Sequence, residues 1–225
     1  RDEGGKGKCR LGECSPDILG ILPVLMEKAG AVMIKTSPML DIWQTIEALG
    51  HVSAVHVVEW RGDCKEVLYI LGPETRVVED VLIYAVAVDD EGAVLQHLEF
   101  TKGREQRAGT EFSKPLKYLY EPSPAFQKAG GFKVIGETYG LKKLHLSTHL
   151  YTSEVRREGF PGRVFEVLGV YGAKAREMPV KKANLKVRNF PQKTDILRKK
   201  LKIEDGGEDY LFACSLRSEE RRGGE

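Results

Sequence analysis

Gly30-Ala31-Val32-Met33-Ile34-Lys35-Thr36-Ser37-Pro38-Met39-Leu40-Asp41 is the stretch on which the fold turns. An apolar run of strand length that begins behind a glycine and ends in a polar loop reads as a strand buried on both faces of a parallel sheet. Upstream, Ser15-Pro16-Asp17 is a helix start, with a Ser cap, Pro in the first position and an acid in the first turn. That helix extends to about Ala29, where Gly30 stops it. Downstream, Asp41 to Leu49 reads as a second helix ended by Gly50. Two β-rich runs follow, Val52 to Trp60 and Cys64 to Leu71, joined across Arg61-Gly62-Asp63 at hairpin length. Helix, strand, helix, strand and antiparallel strand is the tail of a doubly wound α/β sheet, with too few strands for a whole one.

Further along, Val81 to Val88 and Ala93 to Phe100 pattern as a second hairpin across Asp89-Asp90-Glu91-Gly92. Thr101 to Pro115 is polar, and a domain boundary is expected in or before it. Ser123-Pro124 opens a helix whose apolar positions Phe126, Ala129, Phe132, Ile135 and Tyr139 recur every three or four residues up to Gly140. Gly130-Gly131 inside that pattern predicts a kink or a close backbone approach. Beyond it, Leu144–Tyr151, Val164–Tyr171, Leu185–Arg188 and Tyr210–Leu216 read as strands, Lys174–Ala183 as a weak helix and Thr194–Leu201 as a capped helix. Strands and helices alternating at this size suggest a small α+β, ferredoxin-like sheet over about 141–216.

The 225 residues are 41% apolar and 30% charged, an ordinary globular composition that excludes collagen-like and wholly disordered chains. The longest apolar stretch, Ile18 to Ile34, is interrupted by Pro23, Glu27, Lys28 and Gly30, so no membrane span is expected. The first residues have no apolar signal-peptide segment, and a cytoplasmic location is expected. Cys9, Cys14, Cys64 and Cys214 have no framework or zinc-site spacing, which suits reduced thiols and argues against a metal centre. Residues 1–100 carry a net −8 and residues 101–225 a net +10, an asymmetry that suggests units with different partners. The strongest run is Lys174 to Lys202, with 11 Lys/Arg against Glu177 and Asp195. Helix-end cations such as Arg198, Lys199, Lys200 and Lys202 also favour the helix dipole, which accounts for only part of it. The run reads as a phosphate-tracking surface.

Two further groups stand out. Lys35 and Asp41 flank the C-terminal end of the first strand, where open α/β sheets bind ligands; Ser37 or Asp41 could equally cap the next helix. His145, Ser147, His149 and Tyr151 share one face of a strand by the period of two, a polar and aromatic face suited to unpaired bases or simply to solvent. Glu121-Pro122-Ser123-Pro124 is read as a helix start, and no Gly-x-Ser-x-Gly elbow supports a hydrolase triad.

A set of phrases in order carries a resemblance: Ile34-Lys35-Thr36-Ser37-Pro38-Met39-Leu40-Asp41, Tyr118-Leu119-Tyr120-Glu121-Pro122, Gly140-Leu141-Lys142-Lys143-Leu144-His145 and Ser147-Thr148-His149-Leu150-Tyr151-Thr152-Ser153. Phe160-Pro161-Gly162-Arg163-Val164-Phe165, Val187-Arg188-Asn189-Phe190-Pro191 and Leu197-Arg198-Lys199-Lys200-Leu201 continue it. Together they resemble the C-terminal part of a class I S-adenosylmethionine-dependent methyltransferase with a THUMP-like RNA-binding domain, a type common in Bacteroidetes. The resemblance implies an α/β plus α+β chain: residues 1–72 as the C-terminal half of a Rossmann-like methyltransferase sheet, and 73–225 as a THUMP-like, ferredoxin-like region. It implies S-adenosylmethionine as cofactor, with Arg1 as the last residue of an Asp-Pro-x-Arg cofactor motif and the glycine-rich loop and ribose ligand upstream. The chain alone is therefore expected to bind the cofactor poorly. Lys35 and Asp41 become candidate catalytic residues.

With the charge pattern, the resemblance implies contacts to structured RNA (tRNA or rRNA) at Lys142, Lys143, His145, His149, Tyr151, Arg163, Lys186, Arg188, Asn189, Arg198 and Lys199. Reversing Lys186 and Arg188 to Glu is then expected to weaken RNA binding. The alternatives are a non-catalytic RNA-binding module and a metabolic enzyme whose basic run is incidental.

Overall fold

The computed structural model describes residues 10–73 and 76–216, which fall into two compact units. The first contains the described residues up to 109 together with 123–135; the second contains 110–122 and the described residues from 136 onward.

The first unit opens with α1 (Ile18–Lys28). Its cap is Asp17, whose carboxylate accepts the Gly20 amide at 3.1 Å, so the helix starts after Ser15-Pro16 and not on it. β1 (Val32–Thr36) follows, then α2 (Ile42–Leu49), β2 (Val52–Trp60) and β3 (Asp63–Leu71). Arg61 and Gly62 both have positive φ (51° and 76°), the conformation of a tight two-residue hairpin turn. β4 (Leu82–Val88) and β5 (Val94–Thr101) form the second hairpin. The sheet order is β1-β3-β2-β4-β5, with β3 antiparallel to both β1 and β2 and β4 parallel to β2. The sheet thus continues past residue 72 through β4 and β5.

β1 departs from the expectation of a strand buried on both faces. Among the described residues it pairs only with β3, and Ile34 is buried while Met33 and Lys35 are exposed. One sheet face carries the core through Val55, Val57, Val67, Tyr69, Ile83 and Ala85, all at the bottom of the exposure range. α2 turns Ile42, Ile46 and Leu49 inward.

α3 (Lys102–Arg107), α4 (Pro124–Ala129) and the start of α5 (Phe132–Tyr139) complete this unit. α4 is held by a carboxylate from the sheet: buried Glu59 accepts the Ser123 hydroxyl at 2.5 Å and the Ala125 amide at 3.0 Å. An anion there satisfies orphan helix amides and complements the dipole. The glycine pair produces both predicted effects. Gly130, at φ +84°, breaks the helix into α4 and α5, and a Cβ on Gly131 would lie 2.7 Å from the Phe100 ring.

The second unit holds a four-stranded sheet ordered β7-β8-β6-β9, made of β6 (Tyr118–Pro122), β7 (Lys142–His145), β8 (Thr148–Ser153) and β9 (Gly162–Glu166). The run expected as one strand from Leu144 to Tyr151 is a hairpin turning at Leu146-Ser147, with His145 opposite Thr148. The expected weak helix at 174–183 is only a short 3-10 turn, Ala175–Glu177. β10 (Lys182–Arg188), α6 (Thr194–Leu201) and β11 (Glu204–Cys214) follow. β10 and β11 pair in parallel around a register shift at Ala183/Asn184, beside which Gly206 and Gly207 take positive φ. On one face, Ala183 and Leu185 pack with Leu197, Leu201 and Ile203. On the opposite side of β11, Phe212, Cys214 and Leu216 join Leu119, Leu144 and Leu150 of the larger sheet.

Candidate nucleic-acid interface

The cations of the second unit divide by what they touch. Lys186 and Arg188 occupy alternate positions on β10 and converge on Glu121 of β6, which is 4% exposed. The Lys186 ammonium donates to one carboxylate oxygen, and the Arg188 guanidinium donates to the other at 2.7 Å. A buried carboxylate stripped of such partners costs several kcal/mol, so these two cations are structural. That corrects their reading as free RNA contacts, and a double reversal to Glu would place three carboxylates together before any RNA arrived. Lys143 is likewise buried, donating to the Leu146 carbonyl at 2.8 Å and lying 3.5 Å from His149 Nδ1. Burial, and then the Lys143 charge, push the His149 pKa down to about 4. Tyr151 is fully buried, with Lys143 6.0 Å from its ring centroid, so its face is not open to a base. β8 lies between β7 and β6 and is covered on both faces, with Leu150 and Tyr151 both fully buried.

His145 and Asn189 are brought together. The Ser147 amide donates to His145 Nδ1 at 3.0 Å, and Asn189 Nδ2 lies 3.3 Å from the same nitrogen and 3.2 Å from Thr148 Oγ1. Asn189 has φ +50°, which its short polar side chain tolerates. Lys142 pairs with Glu111 at 3.2 Å with both side chains exposed, a contact of little worth. Arg198 is held by Asp205 at 2.6 Å.

Lys199 remains exposed, and so do Lys181, Lys182, Lys193, Lys200 and Lys202. None of these six has an ion-pair partner among the described residues. Lys193, Lys199, Lys200 and Lys202 belong to one short helix and its two ends, because α6 runs from Thr194 and Lys202 closes it in the left-handed conformation.

Two features of this unit go beyond the sequence pattern. Glu121 patterns as part of a helix start, yet it lies in β6 as the acceptor for β10. The aromatic rings of Phe165, Tyr210 and Phe212 meet at centroid distances of 4.9 to 6.4 Å. Arg163 lies 6.0 Å from the Tyr210 centroid and donates to its hydroxyl at 3.4 Å. Lys186 lies 5.7 Å from the same ring. The sequence signal for this cluster is the spacing of two in Arg163/Phe165 and Tyr210/Phe212, which places each pair on one strand face.

In the first unit, Lys35 forms an exposed ion pair with Glu66 at 2.8 Å. Asp41 caps α2 by accepting the Gln44 amide at 3.0 Å and borders a 240 Å³ cavity with Arg10, Leu11, Leu40 and Thr45. Arg1 lies outside the described residues. These groups do not fit an S-adenosylmethionine site: β1 is entered from a helix rather than followed by a glycine-rich turn, and the Asp41 carboxylate at the cavity already serves its own helix. Among the described residues no cluster of His, Cys, Asp and Glu could hold a metal, and Cys14, Cys64 and Cys214 form no disulfide. No helix among them is long and apolar enough to cross a membrane.

Residues 118–161 match the family model of a ferredoxin-like domain, and residues 162–223 match that of a THUMP domain-like region. The first match covers β6 to β8 with the helices between, earlier in the chain than the 141–216 expected from the pattern; the second covers β9 to β11. A solved structure, a proposed methyltransferase from Porphyromonas gingivalis W83, superposes with a TM-score of 0.85 at 33% identity over 92% of this chain. The chain spans 53% of that protein's length. No curated protein matches the chain.

Proposed function

We propose that the chain is part of an S-adenosylmethionine-dependent methyltransferase acting on structured RNA, tRNA or rRNA, in the cytoplasm. In this reading the second unit docks the RNA, and the first unit is the C-terminal part of a Rossmann-like catalytic sheet. The cofactor would be held by residues beyond those described.

The observation that carries the RNA part is the exposed, unpaired lysine set on and around α6, within a segment that matches a THUMP-like domain. Ammonium groups without carboxylate partners are available to phosphates, and each phosphate neutralised releases counterions. Arg163, Asn189 and His145 can supplement them from neighbouring strand ends. The methyltransferase part is supported by the likeness to the P. gingivalis protein. It is also supported by a sheet in which β3 runs antiparallel between β1 and β2.

The test is binding of total tRNA and of rRNA fragments to the chain from 50 to 200 mM salt, followed by transfer of a labelled methyl group from S-adenosylmethionine by the longest natural form of the protein. Affinity that falls steeply with salt, and label incorporated into RNA, are expected. Binding of RNA without any methyl transfer would leave a non-catalytic RNA-binding module. Absence of salt-dependent binding would overturn the RNA reading altogether.

A further inference from the structure

The cleft of the second unit has the wrong charge for RNA. It measures about 440 Å³ and runs between the outer edge of β11 and the loop that leaves β9. Its walls are mainly apolar and include Phe165, Val167, Met178, Phe190, Tyr210 and Phe212. Among the described residues its lining contains no Lys or Arg, whereas Glu166, Glu208 and Asp209 all border it. A phosphate there would meet carboxylates at the rim, and the two cations beside the wall are already engaged, Lys186 by Glu121 and Arg163 by the Tyr210 hydroxyl.

The backbone supplies a second, independent observation. Among the described residues, β11 is paired by β10 alone, at Glu204–Asp205 and again over Tyr210–Cys214, with residues 206–209 bulged out of the ladder. Outside that ladder, its residues 205–214 make no backbone–backbone hydrogen bond among the described residues. Bare edges are normally blunted by lysine, proline, a bulge or a covering element, and here the bulge covers only residues 206–209, leaving Tyr210–Cys214 regular. Here the edge faces an apolar trough instead, and the loop opposite leaves Leu168 and Val170 at 82% and 60% exposure.

We propose that this edge is a strand-addition site for an extended protein segment whose side chains alternate apolar and basic. Its main chain pairs with β11 over Tyr210–Cys214. Its apolar side chains enter the cleft, and its cations meet Glu166, Glu208 and Asp209. Main-chain pairing supplies affinity in such sites and the pockets supply specificity. The partner is assigned as protein because the rim is acidic and the feature recognised is a backbone edge. α6 borders this cleft through Leu197 and Leu201, and none of its lysines is among the lining residues.

The experiment uses the whole chain and three acetylated, amidated hexapeptide probes: Lys-Val-Lys-Val-Lys-Val, its Glu-for-Lys counterpart, and the lysine peptide N-methylated at alternate residues. Binding is read by calorimetry and by amide protection of residues 210–214. The lysine peptide is expected to bind and to protect that segment, with at least tenfold weaker binding for the other two. Glu208→Lys with Asp209→Lys should weaken the lysine peptide about tenfold and leave tRNA binding no weaker. Equal binding of the N-methylated peptide overturns strand addition, and equal binding of the glutamate peptide overturns the charge assignment. No binding of the lysine peptide at millimolar concentration overturns the proposal. So does protection of 210–214 by self-association alone, or by a short oligouridylate.

Discussion

β10 and α6 are neighbours in sequence and both basic, yet Lys186 and Arg188 of the one and the lysines of the other do opposite things. Lys186 and Arg188 on β10 are drawn onto one buried carboxylate, Glu121. Lys193, Lys199, Lys200 and Lys202 around α6 stand in solvent. A run of positive charge in a sequence therefore reports composition, not availability. What separates the two sets is a partner more than 60 residues away, which sequence-local reasoning does not see.

The largest expected effect lies on the buried side. Glu121→Gln leaves two partly exposed cations facing a neutral amide and should destabilise the second unit by about 1.5–3 kcal/mol, read by urea denaturation. A loss below about 1 kcal/mol would mean that the cluster is solvated and that its cations could still reach RNA. The contrast sharpens if all three charges go: Glu121→Leu with Lys186→Met and Arg188→Met should recover most of that loss, because apolar replacements of a buried ion cluster are often neutral or better.

The next effect concerns pH. The His149 pKa is depressed from 6.5 to about 4, so the unfolded chain binds more protons than the folded one between those values. His149 therefore favours the fold fully above pH 6.5, and this contribution is lost as pH falls toward 4. Replacing His149 by Gln should shrink the drop in Tm between pH 6.5 and 4, relative to wild type. An unchanged drop would show that other groups govern this window.

The smallest effect on stability belongs to the exposed set. Lys199→Gln with Lys200→Gln should change unfolding free energy by no more than about 1 kcal/mol, since only a weak, exposed helix-end term is lost. The same pair should weaken tRNA binding clearly, so that stability and affinity separate where the buried cluster would join them.

The parts of the fold legible in the sequence are those set by local chemistry. Arg61-Gly62 and Asp89 to Gly92 mark their hairpins through residues that tolerate tight turns. The Gly130-Gly131 break is readable because two adjacent glycines each cost about 1 kcal/mol of helix propensity inside an otherwise amphipathic pattern. The β7–β8 hairpin is not readable, since Leu146-Ser147 contains neither glycine nor proline and the alternation runs straight through it. The edge position of β1 depends on which strands lie beside it, a matter of topology. Of the candidate site, the basic segment is legible as a whole. The division into structural and free cations is not, and neither is the acid-rimmed cleft beside β11, because both arise from pairings between distant segments.

On the proposed function, RNA docks on the free lysines around α6 and not on Lys186 and Arg188 of β10. The direct measurement is the salt dependence of tRNA affinity for wild type and for a variant with Lys193, Lys199, Lys200 and Lys202 changed to Gln. The claim predicts weaker binding and a shallower plot of log affinity against log salt, by roughly 0.7–0.9 for each phosphate no longer neutralised. An unchanged affinity and slope, with the fold intact, would contradict it.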